Sequence, residues 1–149
     1  PAYHLSSKTH PDPVQLDQAT LEILVLHQTG LIILAGYLKK LWPQTLSAYR
    51  GRVLNIHPAL LPKYGGPGMY GPAVHAAVIA AGDKETGVTI HQVDEIYDHG
   101  EIIAQCRIPV EAHDTPETLA ERVLKQEHVF LVETLRRILS GELALSGNS

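Results

Sequence analysis

The sequence predicts an α/β domain built on an open, Rossmann-like sheet, mostly parallel and turning antiparallel toward its C-terminal part. Three observations predict it. Two short apolar runs, 31–36 and 52–57, flank a stretch able to hold a helix, the order that gives parallel strands joined by a right-handed crossover. An alternating segment at 87–93 is followed, across a short polar loop, by a further strand at 102–110, and so short a connection joins antiparallel neighbours. A long amphipathic helix closes the chain, opened by Thr115 as N-cap and Pro116 at its first position.

The elements follow in order. Asp12-Pro13 opens a helix that Gly30 closes, with Leu16, Leu21, Ile23, Leu24 and Val25 as its buried side. The run 31–36 is continuously apolar, as expected of a central strand covered on both faces. A short helix spans 42–49 with Pro43 in its first turn, and 52–57 is the next strand. A loop rich in glycine and proline occupies 62–72, after which a helix over 73–81 stops at Gly82. In 87–93, Val88, Ile90 and Gln92 alternate with Thr89, His91 and Val93. The last four residues read as a frayed tail. The first ten residues are irregular, and no strand or glycine-rich turn precedes the first helix, so the chain is expected to enter its domain partway through, without the N-terminal strands and phosphate turn of such a fold.

With 149 residues the chain suffices for one domain, 1–149, with a single core. A net charge of −4, with lysines and arginines scattered, argues against nucleic-acid or membrane-surface partners. One cysteine, Cys106, leaves no internal disulfide and fits a reducing compartment; no apolar stretch is long enough to span a bilayer, and a cytoplasmic protein is expected. Monomer and homodimer both remain open.

Chemistry concentrates at Asn55-Ile56-His57-Pro58. Residues two apart in a strand share a face, so an amide donor and a titratable imidazole point the same way from a strand that Pro58 helps to end. Oxyanion stabilisation and proton transfer need such groups. A carboxylate from the 94–100 loop could approach His57 and favour its charged form; Asp94, Glu95 and Asp98 are all candidates, with the tight turn at Asp98-His99-Gly100 favouring Asp98. In the last helix, Leu119, Val123, Phe130, Leu131 and Ile138 form an apolar stripe that contains Glu127, and a carboxylate there needs an ion-pair partner or a ligand. The nine histidines show neither a His-x-x-x-His pair nor a Cys-x-x-Cys element, so no metal is expected. No Gly-x-Ser-x-Gly turn and no phosphate loop is present.

Three segments in order, Asn55-Ile56-His57-Pro58-Ala59-Leu60-Leu61-Pro62-Lys63-Tyr64, Gly87-Val88-Thr89-Ile90-His91 and Asp98-His99-Gly100-Glu101-Ile102-Ile103, closely resemble the folate-dependent formyltransferases. The similarity runs from about Leu31 to Leu139 and more loosely to Pro1, covering the C-terminal two-thirds of the family domain. It implies a formyltransferase-type fold and a catalytic trio of Asn55, His57 and Asp98. The co-substrate would be 10-formyltetrahydrofolate, and the acceptor the amine of glycinamide ribonucleotide in purine synthesis, with both reactants small molecules. By the same resemblance Leu38, Lys39, Lys40, Leu41, Asn55 and the loop residues Asp94, Glu95, Ile96, Tyr97 and Asp98 would hold the folate, while Gly36, Ile56, Pro58 and Glu127 would face the ribonucleotide. The 65–72 loop is longer than is common in the family, and Leu124 stands where the family often has a polar, substrate-facing residue. Alternatives within the resemblance are a methionyl group on transfer RNA as acceptor, or water in a formyltetrahydrofolate hydrolase. A fragment without activity is the third.

Overall fold

The computed structural model describes residues 1–37, 41–96 and 98–145. Its elements are α1 (Pro13–Leu26), β1 (Ile32–Leu34), α2 (Pro43–Ala48), β2 (Val53–His57), α3 (Pro72–Ala81), β3 (Glu85–Gln92), β4 (Ile102–Pro109) and α4 (Pro116–Leu139). They form a mixed sheet in the order β1-β2-β3-β4.

β1 and β2 pair in parallel, Ile32 opposite Val53, as the crossover through α2 requires. β3 runs antiparallel to both of its neighbours. The expectation of a mostly parallel sheet therefore holds only for the first pairing among the described strands. The register explains it. His57, the last residue of β2, lies opposite Thr89, so the 58–71 loop and α3 bring the chain back to the edge it left, and a strand starting there runs back along β2. β1 was expected at the centre of the sheet; among the described strands it pairs with β2 alone.

Local signals set the helix ends. Asp12 accepts a hydrogen bond from the Val14 N–H at 2.9 Å, with proline at the first position of α1. Thr115 and Thr118 cap α4 reciprocally, and Arg136 and Arg137 in the last turn complement its dipole. α3 stops at Gly82, whose φ of 68° a side chain would resist. α1 ends four residues before Gly30: Gln28 takes the left-handed conformation (φ 51°), and the Thr29 N–H reaches the Leu24 carbonyl at 3.0 Å. α1 is also less buried than its composition suggests. Leu16 is buried and Leu21 and Leu24 pack on the core, but Val25 is 62% exposed because only one side of the helix meets α2 and the sheet.

α2 has no side-chain cap of its own. Buried Asp17 of α1 supplies it, accepting from the N–H groups of Gln44 (2.7 Å) and Thr45 (2.9 Å) and from the Thr45 hydroxyl (2.7 Å). Two apolar clusters complete the core. One holds Leu34, Tyr49 and Val53 with flanking Leu21, Leu24 and Leu41; the other joins Val78, Val88, Ile108, Leu119 and Val123 between α3, α4 and the antiparallel strands. The second matters most for function, because it fixes α3 and α4 over the end of β2. Among the described residues no helix is long and apolar enough to cross a membrane.

Candidate active site

The antiparallel register brings Asn55 opposite His91 and His57 opposite Thr89. Alternation then puts Asn55, His57 and His91 on one face at the end of the sheet. Asn55 Nδ2 lies 3.2 Å from His91 Nε2, and His91 Nδ1 lies 2.9 Å from the Gln92 carbonyl oxygen. A carbonyl only accepts, so Nδ1 donates to it, and Nε2 faces both the Asn55 amide and Asp98 Oδ1. That contact fixes the Asn55 amide, leaving its second N–H and its oxygen for other partners.

His57 is buried, and its Nε2 donates to the Tyr64 carbonyl at 2.8 Å. Its other nitrogen, Nδ1, stands 3.6 Å from Asp98 Oδ1, and the same oxygen lies 3.5 Å from His91 Nε2. Asp98 thus sits between two imidazoles. Burial pulls the His57 pKa below its ordinary value, and the Asp98 charge and the Tyr64 carbonyl only partly restore it. The ring rests neutral, beside a carboxylate ready to stabilise its charged form.

Asp98 is held by unusual backbone. Its own φ is 53°, and its Oδ2 accepts from the Gly66 N–H at 2.9 Å. Gly65 lets the strands of loop approach: a Cβ there would stand 2.7 Å from Leu61 Cδ2 and 3.2 Å from Asp98 Cβ. Burial alone would raise the Asp98 pKa, but His91, the Gly66 N–H and the His57 charge outweigh it and hold the carboxyl below its usual range.

These groups open on a cavity of about 840 Å³ between the sheet end, the 66–72 loop, α3 and α4. That volume falls within the range of sites for small organic ligands. Asn55, His57 and Asp98 line it, as do Gly36, Ile56, Pro58 and Glu127. Burial raises the pKa of Glu127 above the ordinary carboxylate value. Leu124 of α4 faces the same space. So does His75 of α3, a buried imidazole whose Nδ1 has no hydrogen-bond partner among the described residues and whose pKa is lowered by burial and by His57.

Of the residues expected to hold folate, Leu38, Lys39, Lys40 and Tyr97 lie outside the described residues. Leu41 packs against the cluster of Leu34, Tyr49 and Val53 rather than lining the cavity. Asp94, Glu95 and Ile96 are exposed on the neighbouring loop, where Asp94 accepts from the Ile96 N–H at 2.7 Å and pairs with His99 at 2.8 Å. Of the three acidic candidates in this loop, Asp98 is the one whose carboxylate reaches His57 within 4 Å. Sequence reasoning missed His91 and His75. The signal for His91 was present: once 87–93 is paired antiparallel with 52–57, its imidazole falls opposite Asn55. For His75 only the length and path of the preceding loop decide what it faces.

The family model described as formyl transferase matches residues 1–135. Over 132 residues the chain is 44% identical to the chloroplastic phosphoribosylglycinamide formyltransferase of Arabidopsis thaliana, covering 89% of this chain and 45% of that protein. With the phosphoribosylglycinamide formyltransferase of Bacillus subtilis it shares 39% identity over 93% of its own length and 69% of the relative's. The crystal structure of phosphoribosylglycinamide formyltransferase from Bacillus halodurans superposes with a TM-score of 0.83 at 39% identity, over 94% of this chain and 70% of that one. The chain thus spans under half the length of the plant relative and about two thirds of the bacterial ones.

Proposed function

Because the chain belongs to the formyl transferase family, we propose that it carries the centre for transfer of a formyl group from 10-formyltetrahydrofolate to the amine of glycinamide ribonucleotide. The observation that carries this reading is the convergence of Asn55, His57 and Asp98 on one cavity, with Glu127 on α4 lining the same space. The acceptor follows the relatives named above; the domain is read as one unit, and the lone Cys106 suits a reducing compartment such as the cytoplasm.

The reaction needs no group beyond these side chains and the two substrates. The acceptor amine attacks the formyl carbon, a C–N bond forms, and the carbonyl oxygen gains negative charge. The free N–H of Asn55 donates to that oxygen. Resting neutral, His57 takes the proton that the attacking nitrogen sheds, and the imidazolium lies 3.6 Å from the Asp98 carboxylate. The bond between the formyl carbon and N10 of the folate then breaks, and the proton passes to N10. Glu127 suits two hydroxyls of a ribose, since a carboxylate accepts two hydrogen bonds side by side. Holding both reactants in one cavity contributes through orientation.

The test is a transfer assay with purified protein, 10-formyltetrahydrofolate and glycinamide ribonucleotide, run beside methionyl transfer RNA and water as acceptors. Formylation of the ribonucleotide that disappears in Asn55→Ala supports the reading. Transfer to transfer RNA alone, or release of formate alone, replaces the acceptor; no transfer to any of them ends the reading for this chain.

A further inference from the structure

Asp83 follows α3 at the point where the helix is most firmly terminated. Gly82 takes the left-handed conformation, and the Asp83 N–H closes the helix end on the Val78 carbonyl at 3.3 Å. From there the Asp83 carboxylate accepts from the Tyr64 hydroxyl at 2.7 Å and from Lys63 Nζ at 2.7 and 2.9 Å. The Tyr64 ring packs against the cluster of Val78, Val88 and Leu119, so its phenol is held at both ends. Tyr64 itself takes a left-handed backbone (φ 57°), a conformation that costs a non-glycine residue free energy and persists only when its surroundings impose it.

What the turn does with that conformation is specific. The Tyr64 carbonyl receives the His57 Nε2–H at 2.8 Å. Gly65 passes against the Asp98 Cβ, and the Gly66 N–H donates to Asp98 Oδ2 at 2.9 Å. One three-residue turn therefore grips both members of the His57–Asp98 pair, each on the side away from the other.

We infer that Asp83 is a positioning residue for the catalytic pair: by anchoring the Tyr64 phenol it fixes the 64–66 turn, which sets the separation and tautomer of His57 against Asp98. The action passes through backbone, and Asp83 touches no reactant. Lys63 is 64% exposed, and its ion pair with Asp83 is the weaker part of the anchor. The charged and titratable groups facing His57 are Asp98 from the loop, His91 from β3 and His75 from α3, with Glu127 of α4 lining the cavity they share.

The experiment is long-range ¹H–¹⁵N correlation spectroscopy of the full chain labelled at histidine, for wild type, Tyr64→Phe, Asp83→Ala and Asp83→Asn, with kcat and KM measured alongside. Wild-type His57 shows the tautomer protonated at Nε2. In Tyr64→Phe and Asp83→Ala the His57 signals move toward a mixture of tautomers, its titration midpoint shifts, and kcat falls on the order of tenfold while KM stays within about twofold, as a small misplacement of reacting groups produces. Asp83→Asn keeps an acceptor for the phenol and restores the wild-type spectrum. His57 signals and midpoint unchanged in both Tyr64→Phe and Asp83→Ala overturn the inference, as does a changed spectrum with kcat unaltered. If Tyr64→Phe does not fold, Asp83→Ala decides alone. The kcat arm rests on the proposed formyl transfer and the spectrum does not, so an inactive wild type defeats that function while the His57 signals still decide this inference.

Discussion

Asp17 and Asp98 are both carboxylates that the fold withdraws from water, and their surroundings differ in kind. Asp17 accepts three hydrogen bonds of 2.7–2.9 Å at the start of α2, two from backbone N–H groups and one from the Thr45 hydroxyl. Among the described residues Asp98 accepts one short hydrogen bond, from Gly66, and faces two imidazoles at 3.5–3.6 Å, at the limit of hydrogen-bond length. Asp17 sits on a regular helix; Asp98 sits at φ 53°. A saturated carboxylate stabilises one structure. An undersaturated one keeps capacity for a proton or charge that appears only during a reaction.

Mutation should separate the two centres. The largest effect belongs to the groups beside Asp98: Asn55→Ala or His57→Ala lowers the rate of formyl transfer on the order of 10²–10³, the usual cost of an oxyanion donor or proton carrier, with thermal unfolding near wild type. Next come the carboxylates themselves. Asp17→Ala strands two N–H groups and a hydroxyl and lowers stability by about 2–3 kcal/mol in denaturant titration, leaving the rate per folded molecule unchanged. Asp98→Asn weighs the other way, lowering kcat on the order of tenfold or more; its depressed folded pKa means some stability is lost at pH 7 as well, but less than in Asp17→Ala. If both substitutions cost stability and activity alike, the distinction between the centres fails.

Glu127 sharpens the contrast from another side. Its folded pKa lies above the ordinary carboxylate value, so the native state holds its proton longer than the unfolded chain, and the stability this gives is lost as pH rises through the folded value. At neutral pH the buried charge is a cost. Glu127→Gln should therefore raise the melting temperature of the free protein at pH 7 and raise KM for the ribonucleotide, a stability gained by giving up a binding group. A lower melting temperature would show that Glu127 has a structural partner.

The smallest effect is on pH dependence. His57 and His75 have folded pKa values below their ordinary 6.5, so the unfolded chain takes up protons first. Their contribution to stability is complete above about 6.5 and falls as the solution is acidified through the interval between the unfolded and folded values. His75→Gln should flatten the decline of melting temperature below pH 6.5; an unchanged slope would place the acid sensitivity elsewhere.

Much of this architecture is legible in the chain. Asp12-Pro13, Thr115-Pro116 and Gly82 mark helix ends by local chemistry, and those marks match, because capping needs only neighbours in sequence. Alternation placed Asn55 and His57 on one face for the same reason. Asp17 could not be found that way, since the helix it caps begins 26 residues later and offers no cap of its own. His91 joins the site through strand register; the tight turn and the resemblance favour Asp98 over Asp94 and Glu95, but the Gly66 N–H that holds its carboxylate comes from a distant turn that no local pattern announces. Val25 had the composition of a core residue, but nothing in the described structure packs against that side of α1. Local chemistry is written in neighbouring residues, and the pairing of distant ones is not.

The most direct test of the central claim is the rate of formyl transfer from 10-formyltetrahydrofolate to glycinamide ribonucleotide by the wild-type chain and by His57→Ala, under identical conditions. Measurable transfer by the wild type, reduced on the order of 10²–10³ in the variant with its melting temperature preserved, is the predicted result. Equal rates in the two proteins would contradict the assignment of the Asn55–His57–Asp98 cluster as the centre of the reaction.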